Sequence, residues 1–162
     1  MSALKRLRKY LKERKLNPIA IASAPGRVDF LNTHQDYKGL PVVPIAVNLR
    51  IYMAAVRESH DKFIVESLDL GSTREFYLQT KTYSGDFIDY LKACIFSLEE
   101  IVNIQLKEGY RIVISSDIPV GGGMGSSGAL EVCFLKLISR LYNIEIDKSS
   151  LAEAAFIAEN KI

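Results

Sequence analysis

Residues 110–142 read YRIVISSDIPVGGGMGSSGALEVCFLKLISRLY. Tyr110 to Ser115 is a β-branched run, Ser126 to Tyr142 repeats its apolar residues at helical spacing, and Asp117 to Gly125 between them holds Pro119 and four glycines. A strand is therefore expected to turn through glycines into an apolar helix. The first N–H groups of a helix have no internal partner and sit at the positive end of its dipole, so an anion, phosphate above all, suits such a junction. Gly121, Gly122, Gly123, Met124, Gly125, Ser126 and Ser127 are the candidate phosphate contacts. Their glycines let a polyphosphate approach the backbone, and the hydroxyls of Ser126 and Ser127 can reach a phosphate oxygen or a magnesium ion. A purely structural glycine turn with a serine cap is the competing reading.

Two common phosphate motifs fail here. A Walker A loop needs GxxxxGK[ST], and no Lys follows these glycines. Gly123, Gly125 and Gly128 satisfy GxGxxG, but Pro119 and its neighbours separate them from the strand that a dinucleotide fold requires directly before them.

Upstream, short β-type runs are expected at Ile19–Ser23, Arg27–Leu31, Asn48–Arg57, Lys62–Ser67 and Arg74–Gln79, divided by Gly, Pro, Asp and Ser. Asp86 to Gln105 carries Phe87, Tyr90, Leu91, Cys94, Ile95, Leu98, Ile101 and Val102 at helical spacing, and Ser149 to Asn160 is a further helical stretch. Strands early and helices late, without strict alternation, predict an α+β fold with a mixed or antiparallel sheet packed by helices. No repeat or linker divides the 162 residues, so one domain is expected.

With 48% hydrophobic and 25% charged residues the composition is that of an ordinary globular chain, which excludes disorder, collagen and coiled coil. Cys94 and Cys133 form neither a disulfide framework nor a CxxC zinc pair, and a reducing cytoplasm is the simplest reading. The longest apolar run, Pro41 to Val47, is too short to span a membrane. The chain's net charge of +2 is unevenly placed: residues 5–15 hold +6, so the rest carries −4. Residues 1–16 read as a basic amphipathic helix with Leu4, Leu7 and Leu11 on one face, able to meet an anionic surface or to dock on a core through its leucines.

A second constellation lies in APGRVDFLNTHQDYKG, residues 24–39. It places Arg27, His34 and Asp36 in a polar turn between apolar strands. Aspartate can accept from vicinal hydroxyls, His adds a donor or acceptor, and Arg offers charge to a phosphoryl group or a developing alkoxide. Singly, each residue could as well serve a surface ion pair or a turn.

Together APGRVDFLNTHQDYKG and IPVGGGMGSSGALEV resemble the first and second signatures of the GHMP small-molecule kinases, the family of galactokinase, homoserine kinase, mevalonate kinase and phosphomevalonate kinase. The resemblance runs from about Ala24 to the end of the chain. GRVD followed by HxDY and Gly39 is most similar to the galactokinase branch. It implies the family's N-terminal domain, a ribosomal-protein-like fold with a left-handed βαβ crossover, with ATP and magnesium as cofactors. By the same resemblance, Gly121 to Ser127 match the nucleotide loop, and Arg27 matches the cation that polarises the acceptor hydroxyl and steadies the phosphoryl. Thr33, His34, Asp36 and Tyr37 fall in the sugar-contacting segment, and Ser127 and Glu159 match magnesium-holding positions.

Galactokinases usually read GEH where Asn32-Thr33-His34 stands here, so Thr33 replaces a Glu that contacts the sugar near C6. Losing that carboxylate would admit a C6 carboxylate, which makes galacturonate a candidate beside galactose. The family's Asp base and C-terminal domain would lie beyond Ile162, so the chain is expected to hold the nucleotide loop and part of the sugar pocket without the whole catalytic set. The leading expectation is thus the N-terminal part of a sugar kinase, completed by another chain or self-associating. The alternative is a non-catalytic module that senses nucleotide or sugar. Nucleic-acid binding, suggested by the basic helix and by the crossover fold of ribosomal proteins, ranks last.

Overall fold

The computed structural model describes all residues except 32–37, 59–60 and 81. Along the chain these form α1 (Ala3–Glu13), β1 (Pro18–Leu31), β2 (Val43–Arg57), β3 (Lys62–Ser67), β4 (Ser72–Tyr77), α2 (Ile88–Val102), β5 (Tyr110–Ser116), α3 (Ser126–Leu141) and α4 (Lys148–Glu159). The five strands make one mixed sheet in the order β1-β2-β5-β3-β4. Its one parallel pair among the described residues joins β3 to β5, with β4 and α2 in the connection between them; the other neighbours are antiparallel. The expected α+β class holds, and the sheet is mixed.

Side-chain alternation along the strands divides the interior in two. Ile51, Met53 and Ala55 of β2, with Ile112 and Ile114 of β5, face the large core beneath α2, α3 and α4. The residues between them, Ala54 and Val113, face the opposite side with Leu7 and Leu11 of α1. Leu7 is fully buried and Leu11 nearly so, whereas Leu4 is only half-buried and Ala3 takes the third inner position. The leucines of the basic helix therefore dock on the sheet. Arg6 fixes the helix further, reaching Asp69 (2.8 Å) and the Ser116 carbonyl (2.6 Å), while Asp117 accepts from the Ala3 N–H (2.8 Å).

At the start of α2, buried Asp89 accepts the N–H groups of Ser84 (2.6 Å), Gly85 (2.7 Å) and Asp86 (3.2 Å) and pairs with buried Lys92 (2.7 Å). Burial alone would raise its pKa, but the Lys92 hydrogen bond and the two closest N–H groups outweigh that and hold it below the usual carboxylate value. α4 starts on Asp147, whose side chain accepts from the N–H groups of Ser149 and Ser150.

The APG segment does not divide two strands as its residues suggest: β1 runs unbroken from Pro18 to Leu31. The sequence signal is real, since the β1–β2 register slips between Pro25 and Arg27. A long strand absorbs the irregularity as a bulge because the flanking pairs hold it on both sides.

Candidate functional site

That slip in register places Arg27. Next to Gly26, which has no partner in the β1–β2 register, the Arg27 N–H donates to the Met124 carbonyl in the glycine loop (2.9 Å). Gly26 permits the approach: a Cβ there would lie 3.1 Å from the Met124 carbonyl oxygen and 3.3 Å from the Ile118 side chain. The Arg27 side chain then lies over Gly125, where an added Cβ would sit 2.9 Å from Cγ. Asp29, two residues on along β1, pairs with the guanidinium (2.8 Å). The cation of one sequence motif is thus laid against the glycines of the other.

The loop itself alternates its backbone. Gly121, Gly123 and Gly125 have φ values of 71°, 68° and 60°, a region other residues adopt at a cost. Gly125 occupies the N-cap of α3, and no side chain caps that helix. The cap reading of Ser126 and Ser127 is therefore not what the structure forms. Both serines are half-buried and line an apolar cavity of about 240 Å³ with Phe87, Tyr90, Leu70 and Val120. Phe87, Tyr90, Leu70 and Val120 give this cavity an apolar wall beside the first turn of α3.

Further along α3, Glu131 stands four residues after Ser127 and is 1% exposed. Burial, together with a hydrogen bond to Glu159 of α4 and that residue's charge, pushes its pKa up to about 9. Tyr90, on the cavity wall, is raised first by burial and then by the charges of Glu159 and Glu131, which ties the cavity to the carboxyl pair. Ser127, Glu131 and Glu159 offer oxygen donors alone. Among the described residues no group of three or more His, Cys, Asp and Glu is arranged for a metal. One hydroxyl with one or two carboxyls fits magnesium, which fills its remaining positions with phosphate oxygens and water. It does not fit zinc.

The two cysteines are free and buried. Burial pushes Cys133 up to about 12 and Cys94 well above its usual value, so neither is a reactive thiolate.

The structure thus lays Arg27 on Met124 and Gly125 and sets Ser126 and Ser127 on the cavity wall, while Glu159 ends α4 and is exposed. Thr33, His34, Asp36 and Tyr37 lie outside the described residues. Three residues were missed in sequence: Asp29, which pairs with Arg27, the cavity residue Phe87, and Glu131. Glu131 had a legible signal, a carboxylate on the apolar stripe of an otherwise core-facing helix.

Comparison with known proteins places this arrangement. The model of the GHMP kinases N terminal domain matches residues 89–162, and that of the galactokinase galactose-binding signature matches residues 8–57. A galactokinase of Pyrococcus furiosus is 34% identical over 143 residues, covering 85% of this chain and 38% of the relative. A galactokinase of Staphylococcus carnosus is 30% identical over 148 residues, covering 89% and 38%. The chain thus spans well under half the length of these relatives. Among solved structures, the Methanococcus jannaschii mevalonate kinase superposes with a TM-score of 0.78 at 26% identity, covering 88% of this chain and 46% of that one. Lactococcus lactis galactokinase in complex with galactose reaches 0.84 at 23% identity, covering 98% and 42%, and so speaks for the fold alone.

Proposed function

Because the chain belongs to the GHMP kinase family, with its N-terminal domain and the galactokinase galactose-binding signature, we propose that it supplies the ATP- and sugar-binding part of a galactokinase-like sugar kinase. The reaction is phosphoryl transfer from ATP to a sugar hydroxyl. One observation carries this reading: Arg27, from the sugar segment, is bonded through its backbone to Met124 and packed on Gly125, so the acceptor side and the phosphate loop meet at one point.

Each group then has a task its chemistry suits. The apolar cavity of Phe87, Tyr90 and Leu70 takes the base, and the amides at the start of α3 hold phosphate oxygens. Ser127 and Glu159 would hold a magnesium ion, which would neutralise charge on the phosphates. The Arg27 guanidinium, steadied by Asp29, offers positive charge where negative charge develops during transfer. Thr33, His34, Asp36 and Tyr37 contact the sugar, and Thr33 in place of a Glu lets a C6 carboxylate enter, so galacturonate competes with galactose. We place the chain in the cytoplasm. Among the described residues no helix is long and apolar enough to cross a membrane.

The test is calorimetric titration of the purified chain with a magnesium–ATP analogue, then with galactose and with galacturonate. Nucleotide binding that is lost in Ser127→Ala supports the reading. A folded chain that binds none of the three overturns it, and galactose bound far more tightly than galacturonate removes the C6-variant part alone.

A further inference from the structure

Within α1 the cations Lys5, Arg8, Lys9 and Lys12 are exposed, whereas Arg6 is half-buried. Its Nη2 donates both to Asp69 Oδ1 (2.8 Å) and to the Ser116 carbonyl (2.6 Å), and its Nη1 donates to the Met1 carbonyl (2.6 Å). Asp69 Oδ2 in turn accepts the Ser116 N–H (2.6 Å). Arg6, Asp69 and Ser116 therefore close a ring of hydrogen bonds between α1, the turn after β3 and the end of β5.

The ring lies where the sheet stops joining these two strands. The parallel β3–β5 register ends at Ser67 and Ile114, and the Leu68 N–H makes a last bond to the Ile114 carbonyl (2.9 Å). Past that point a side chain, Asp69, takes the Ser116 N–H. Both joined segments run on into the apolar cavity beside Ser127: Asp69 and Leu70 line it from one, Ser116, Ile118 and Val120 from the other. Leu70 and Val120 are 51% and 78% exposed, so core packing holds them weakly and their placement follows from anchored neighbours in the chain. An ion pair as exposed as Arg6–Asp69 adds little to stability. A planar guanidinium that satisfies a carboxylate and a carbonyl together instead fixes geometry.

Resting on the reading of this cavity as the base site, we propose that Arg6 is a positioning residue for nucleotide binding: by tying Asp69 to Ser116 it sets the Leu70 side of the cavity against the Val120 side. Arg6 acts through those two residues and need not touch the nucleotide. The basic helix thus serves the site from the opposite face of the sheet.

The experiment pairs calorimetric titration with a magnesium complex of a non-hydrolysable ATP analogue and amide hydrogen exchange of the unliganded chain. Arg6→Ala is expected to weaken the analogue by about tenfold, within the range for residues that act without touching the ligand. It should also speed exchange at the amides of Leu70, bonded to Ser67 Oγ, and of Ser116, bonded to Asp69. Lys9→Ala, which removes a neighbouring charge from the same helix, should change neither. If Arg6→Ala does not fold, Arg6→Lys, which keeps the charge without the fork, makes the same comparison. Faster exchange with unchanged affinity would separate the ring from the site and overturn the proposal. Weaker binding with unchanged exchange, or an equal loss in Lys9→Ala, would make Arg6 a charge felt at a distance and overturn it as well. In both cases the nucleotide reading stands, because the wild type binds. A folded wild type that does not bind the analogue overturns that reading and this proposal with it.

Discussion

Substituting alanine at Gly125 and at Gly123 separates backbone strain from the contact that joins the two motifs. Both glycines hold positive φ, 60° and 68°, so a Cβ costs about 1 kcal/mol at either from conformation alone. At Gly123 nothing lies within 4 Å of the added Cβ, and that cost is the whole effect. At Gly125 the Cβ would stand 2.9 Å from Arg27 Cγ and 3.3 Å from Nε, against an ordinary carbon–carbon contact of about 3.5–4.0 Å. Because Cγ follows the first side-chain torsion, relieving the clash swings the whole side chain and pulls the guanidinium from Asp29, a half-exposed pair worth under about 1 kcal/mol. Gly125→Ala should therefore cost about 2 kcal/mol, roughly 1 kcal/mol more than Gly123→Ala. In an Arg27→Ala background the excess should vanish. Urea denaturation of Gly125→Ala, Arg27→Ala, the double variant and the wild type, with Gly123→Ala beside them, measures each term. If Gly125→Ala costs the same with and without the Arg27 side chain, the two motifs are not packed as described and the reasoning fails.

The buried Asp89–Lys92 pair makes an acid-sensitive contribution. Its carboxylate is held below the ordinary pKa, so the stability it adds is complete above about pH 4 and is lost as pH falls through the lowered value. Asp89→Asn, which strands a buried Lys92, should cost about 3 kcal/mol at neutral pH and flatten the acid limb of a urea-midpoint profile; an unchanged acid limb would refute the assignment. Leu7→Ala should destabilise by about 2–4 kcal/mol if α1 is docked as part of the fold, and a loss under about 1 kcal/mol would make it a peripheral arm. Phe30, Leu31, Val43 and Ile45 at one end of the β1–β2 pair, with Phe156 on α4, are exposed, and we expect self-association or pairing with a complementing chain to cover apolar surface of this kind. Light scattering that shows a monomer across a concentration series would refute self-association.

Much of this molecule was legible in its sequence because the decisive signals are local. The short apolar run Phe63-Ile64-Val65 between polar ends gave β3 its limits at Lys62 and Ser67, and the glycines after Asp117 announced a helix start with bare amides. The leucine stripe of α1 foretold a docked helix, although which residues turn inward, Ala3 with Leu7 and Leu11 while Leu4 is half-buried, was decided by the packing of the helix. The APG segment misled for a related reason: it marks a bulge, and only pairing with β2 determines whether a bulge ends a strand or bends it.

By itself, then, the sequence determined the class of fold, the glycine turn into a helix without a side-chain cap and the cation of the second motif, since each follows from residue types within a short window. Tertiary structure alone decided that Arg27 meets Met124 and Gly125, that Phe87 and Tyr90 wall a cavity beside Ser127, and that Glu131 is buried. Those contacts join segments far apart in the chain, and no local propensity encodes them. They arise when β1, α2 and α4 are packed around α3 by a shared apolar core.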